Sequence, residues 1–148
     1  MVGVAVFFVQ MTLAAWIDAR TRRYPHWLWL CMLATSLWIS VAGVGASVAL
    51  MRVLLAAAVM LAFVVFELVW RSGHSGESGL GMGDIKCLGT LVIADPLRGL
   101  VSFFLGLMAL GVIGAALRVR SLPLLPFVVG AATLLFALPL FGMVPLQV

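Results

Sequence analysis

Charge is what this sequence has least of. Nine Lys and Arg and five Asp and Glu serve 148 residues, 9% of the chain, where soluble domains carry roughly 25%. That shortage excludes a water-facing surface of ordinary size. It also turns the net charge of +4 away from nucleic acid, because the few basic residues sit between apolar runs rather than in a patch. Cysteine is nearly missing as well: Cys31 and Cys87 make neither a CxxC nor a zinc spacing, which excludes a disulfide framework or a cysteine-ligated metal. Both are expected to pack as inert apolar groups. The first apolar run lacks a basic segment ahead of it and is instead followed by arginines, so it is expected to stay on the protein as a helix. No internal repeat is present.

What is there is hydrocarbon, 65% of the residues. A bilayer core about 30 Å thick takes roughly 20 apolar residues per helical crossing. The expected fold is therefore an all-α, polytopic membrane bundle of about six transmembrane helices. It is expected to form one membrane-embedded domain over residues 1–148 with no soluble domain. The apolar runs fall at residues 1–17, at about 26–42 behind Pro25, at 47–70, at 99–117 and at 121–148. Between the third and the next lies the one polar, Gly- and Ser-rich stretch, "RSGHSGESGLGMG", expected to be flexible. Residues 84–94 read as helix, yet eleven residues span only about 16 Å. Either that helix starts earlier or it is a partial crossing shielded by its neighbours. "GVG" at 43–45 and Asp95-Pro96 read as turns.

Basic residues set the orientation. Arg20, Arg22, Arg23, Arg71, Lys86, Arg118 and Arg120 fall in the loops after helices one, three and five, and only Arg52 and Arg98 fall on the other side. Those three loops are expected in the cytoplasm and both termini outside. Asp18, ending helix one, and Asp84, opening helix four, then lie at one depth on the cytoplasmic side.

A carboxylate within a membrane segment costs about 2.5–3.5 kcal/mol on insertion scales, so two at matched depth ask for a function. Close carboxylates share one proton, and such a pair can activate water with one member while the other protonates a carbonyl oxygen or a leaving amine. The helix ends suggest roles: Asp84 at an N-terminus would be the more acidic partner, and Asp18 near a C-terminus would hold the proton. Just ahead of Asp84, Gly81 and Gly83 would permit unusual backbone angles and close approach of an extended peptide, pairing with it as a strand edge.

"GMGDIK", from Gly81 to Lys86, resembles the GxGD motif of the type IV prepilin peptidases, intramembrane aspartyl proteases that remove short leader peptides. "DARTRRYPH" resembles the family's first-aspartate segment, with Tyr24-Pro25-His26 standing where Ile-Pro-Asn is usual. "LPLLPFVVGA" resembles its Pro-Phe-x-Pro-Phe segment, with Leu124-Leu125 in place of the usual Phe-Gly before Pro126. The resemblance covers nearly the whole chain. It implies a six-helix protease at the bacterial inner membrane with Asp18 and Asp84 as the catalytic pair, no cofactor and no metal. The implied partners are a small prepilin, cut on the cytoplasmic side before pilus assembly, and membrane lipid. Larger members carry a four-cysteine zinc domain and methylate the new N-terminus; this chain resembles the short peptidases of the tight-adherence (Flp) pilus systems, so methylation is not expected.

Other residues have quieter readings. Lys86 marks topology, tunes Asp84 or meets an acidic group on the substrate. Arg20, Arg22 and Arg23 face anionic headgroups or dock the substrate, and Pro25 and Pro126 are further candidate contacts. Pro123 and Pro126 would bend the start of helix six. His26 is expected as an interfacial anchor, and Trp27, Trp29, Trp38 and Trp70 as belt or packing residues. His74 and Glu77 lack further ligands for a metal, and Glu67 can reach the headgroups from its helix end. Asp95, on the far side, is expected to take no part. The contrasting function class is a small membrane transporter or pilus-assembly subunit in which Asp18, Asp84 and Lys86 relay protons.

Overall fold

A computed structural model describes residues 2–21, 24–73, 81–118 and 123–137. The described residues form six α-helices and no strand: α1 (Val2–Thr21), α2 (His26–Val44), α3 (Ala46–Gly73), α4 (Met82–Ala94), α5 (Pro96–Leu117) and α6 (Leu125–Ala137). Helix is what apolar runs must adopt in lipid, where each segment has to satisfy its own backbone hydrogen bonds. α1, α2, α3 and α5 are long and apolar enough to cross a membrane. Their outer faces carry exposed Leu50, Leu54, Leu61, Phe104, Met108 and Val112, as surfaces meeting lipid would.

The ends differ from the sequence expectation in informative ways. α1 continues to Thr21, whose hydroxyl donates to the Ile17 carbonyl at 2.9 Å, so Asp18 lies inside the last turn rather than beyond it. α3 runs three residues past Trp70. The fourth helix does start earlier, at Met82, and its 13 residues rise only about 20 Å. Residues 74–80 of the polar stretch, with His74 and Glu77, lie outside the described residues, as do 138–148 of the expected sixth crossing; α6 itself has 13 residues.

α4 is the centre of the molecule. All of its residues from Cys87 to Ala94 are buried, and it packs on α2, α3 and α5; a helix apolar all round belongs inside. Small residues let its neighbours come close. A Cβ on Gly99 of α5 would stand 2.7 Å from the Leu91 backbone, and one on Gly106 would stand 2.9 Å from the backbone of Val128 in α6. The α4–α5 corner is tight because Asp95 caps α5, accepting from the Arg98 amide at 3.0 Å, and Pro96 follows as the first helical residue. Arg52 of α3 donates to the carbonyl of Ala94 at 2.7 Å. A cation thus meets the negative end of α4 while Asp84 occupies its positive end.

Candidate active site

The buried residues of α1 include Phe7, Met11 and Ala14, and steps of three and four continue that stripe to Asp18. The carboxylate therefore emerges on the face that packs inward. On α4, Asp84 stands in the first turn, aimed back along the helix. Both acids line one cleft of about 270 Å³, and their charges act on each other.

Around Asp84 the local geometry is that of a half capping box. The amide of Gly81 donates to the Asp84 Oδ2 at 3.2 Å, while the Gly81 carbonyl accepts from the amide of Asp84 at 3.0 Å. Opposed influences meet here: the helix N-terminus and the Gly81 amide favour the anion, whereas burial and the neighbouring acid disfavour it.

The glycines act through space, not through unusual angles. Gly81 has an ordinary extended backbone, φ −72° and ψ 144°, and Gly83 lies within α4; among the described residues the only glycine at positive φ is Gly45, at 84°. A side chain at Gly81 would begin 3.0 Å from Asp84 Oδ2, and one at Gly83 would begin 2.8 Å from the Cβ of Tyr24. Because the chain is helical from Met82 onward, Gly83 cannot serve as a strand edge for a peptide.

The cleft takes its other walls from Tyr24, His26, Met82, Lys86 and Leu125. Tyr24 lies in the connection between α1 and α2, and its hydroxyl donates to the Met32 sulfur at 3.0 Å. Burial, then the neighbouring Cys87, pushes its phenol well above the usual range, so it is neutral. Lys86 Nζ lies 3.0 Å from His26 Nδ1 and 5.2 Å from the centre of the Trp29 ring. Lys86 is therefore held in the cleft, and His26, expected as an interfacial anchor, is part of that hold.

Of the residues singled out in the sequence, Asp18, Gly81, Gly83, Asp84 and Lys86 come together here. Pro25 and Pro126 do not line the cleft, although their chain neighbours Tyr24, His26 and Leu125 do. Pro25 is instead the N-cap of α2. Arg20 turns outward and lies 4.2 Å over the Trp16 ring; Arg22 and Arg23 lie outside the described residues. Asp95 lines a separate small cavity with Arg52, at the other end of α4. Glu67 is buried and paired with Arg71 at 2.8 Å, rather than reaching headgroups alone. Among the described residues no three His, Cys, Asp or Glu side chains gather as a metal centre would require.

Tyr24 and His26 are the site residues that sequence reasoning missed. Their one signal was position: they flank Pro25 in the segment that departs from the usual Ile-Pro-Asn.

A model of the type IV leader peptidase family matches residues 5–138. Nothing among curated proteins or solved structures matches the chain.

Proposed function

This chain belongs to the type IV leader peptidase family and is thereby a membrane peptidase, a hydrolase; from that premise we propose that it is an aspartyl endopeptidase that removes the leader of a small, Flp-type prepilin at the cytoplasmic face of the bacterial inner membrane. The observation that carries the reading is the meeting of Asp18 and Asp84, distant in sequence, in one cleft. Two carboxyls at close quarters share one proton. The ionised member takes a proton from a water as its oxygen attacks the scissile carbonyl carbon. The protonated member gives its proton to the carbonyl oxygen, forming a tetrahedral diol. Collapse of the diol breaks the C–N bond as a proton passes to the leaving amine, and the pair returns to its single-proton state. No covalent intermediate and no metal enter.

The product is a shorter pilin. Coexpression of the chain with the host's small prepilin tests this, with mobility shift and N-terminal mass as readouts. Wild type should release the mature pilin, and Asp18→Asn or Asp84→Asn should not. Intact prepilin in the presence of wild type removes the reading.

A further inference from the structure

The two residues beside Pro25 touch the two residues that bracket Asp84. Tyr24 Cβ lies 2.8 Å from the point where a Cβ on Gly83 would stand, immediately before Asp84. His26 Nδ1 lies 3.0 Å from Lys86 Nζ, two residues after it. Neither contact belongs to the chemistry of a paired-acid hydrolysis. Tyr24 lies in the short connection that follows α1, and His26 is the first residue of α2.

We propose that Tyr24 and His26 are positioning residues: the α1–α2 connection and the first residue of α2 grip the start of α4 on both sides of Asp84 and hold its carboxylate toward Asp18. The assignment rests on the peptidase reading for its consequence, but the geometry stands independently of it. Each half of the grip has its own physical basis. At Tyr24 the contact is steric and involves the root of the side chain, so it cannot be relieved by a rotamer change; only the connection or the helix can move. The far end of the tyrosine is fixed as well, by its bond to Met32 of α2. At His26 the contact is directional. A lysine ammonium only donates, so in this contact Nδ1 is the acceptor. The same ammonium lies over Trp29, one turn further along α2, which restricts it to one side.

α4 needs such a grip because its N-terminal turn is the least enclosed part of it. Gly81 and Met82 are exposed, Gly83 and Asp84 are half-buried, and burial becomes complete only from Cys87. Burial of the later turns holds the helix axis in place but does not set the direction of the first. For an acid pair, an error of about 1 Å in placement is enough to lose roughly a hundredfold in rate.

The test is a set of paired substitutions assayed for prepilin cleavage, with membrane abundance and detergent melting checked for each variant. Gly83→Ala should lower kcat by roughly tenfold or more with KM within about twofold, the signature of lost alignment rather than lost binding. Added to Tyr24→Gly, which has no Cβ to strike, Gly83→Ala should cause little further loss; added to Tyr24→Ala, which keeps the Cβ, it should cause its full loss. That non-additivity is specific to the contact. Equal further losses in both backgrounds, or a loss confined to KM, overturns the role of Tyr24. For His26, the Asn variant, which retains an acceptor, should recover most of the kcat lost in His26→Leu, and equal rates for the two overturn that half.

A second readout needs no substrate. With Cys31→Ser and Cys87→Ser as background, Asp18→Cys and Asp84→Cys should be joined by a short bis-thiosulfonate reagent, and adding Tyr24→Gly should cut the yield about threefold or more. An unchanged yield overturns the grip. Cross-linking as expected in these variants, together with intact prepilin in the presence of the wild-type chain, would instead remove the peptidase reading alone.

Discussion

At the scale of the residue, Asp18 and Asp84 are half-buried in one cleft, and Asp95 is not in it. Replacing either cleft acid with Asn should reduce cleavage to the limit of detection, whereas Asp95→Asn should cut normally; the same immunoblot of processed pilin compares all three. The pair also predicts a pH profile. It works only with one proton shared, so kcat/KM should fall on the acid side as both become protonated and on the alkaline side as both ionise. The two limbs belong to the pair rather than to either residue. An initial-rate series across pH in detergent checks this, and a profile flat through the acid range would mean that no shared proton is needed.

At the scale of the element, close helix packing rests on single missing methyl groups. Gly106 of α5 meets the backbone of Val128 in α6, whereas nothing lies within 4 Å of a Cβ placed on Gly111 one turn and a half further on. Gly106→Ala should therefore destabilise by about 1–3 kcal/mol through overpacking. Gly111→Ala should be neutral or stabilising by up to about 1 kcal/mol, since alanine favours helix. Thermal unfolding in one detergent separates the two, and equal shifts would mean that the α5–α6 contact yields easily. Arg52 belongs to the same scale. Its guanidinium closes the end of α4, and Arg52→Leu should leave the Ala94 carbonyl without that donor, lowering stability by about 1–3 kcal/mol.

At the scale of the whole molecule, Arg52 and Asp95 share one cavity at one end of the bundle, and Asp18, Asp84 and Lys86 share the cleft at the other end of α4. The distribution of basic residues is the basis on which we propose that the cleft end faces the cytoplasm. In a chain freed of its two native cysteines, Leu97→Cys should then react with an impermeant thiol reagent added outside spheroplasts, and Ser72→Cys should react only after lysis; the reverse pattern would invert the orientation. Much of this architecture was legible beforehand. Apolar runs between basic turns mark the helices because a backbone in lipid must be satisfied within its own segment, and the 3.6-residue period that puts Asp18 on the stripe of Phe7, Met11 and Ala14 is equally local. The expectation failed where a local pattern carried no information: the helical ends at Asp18 and Trp70, the reason for Gly81 and Gly83, and the place of His26. By itself, then, the sequence determined the helices and placed Asp18 and Asp84 at the ends of two of them, which follows from hydropathy and period within single segments. Only the tertiary structure decided that Tyr24 stands against Gly83 and His26 against Lys86, because contacts between a short connection and a helix some sixty residues away depend on how the helices pack, and short-range repulsion and hydrogen bonding change within a few tenths of an ångström.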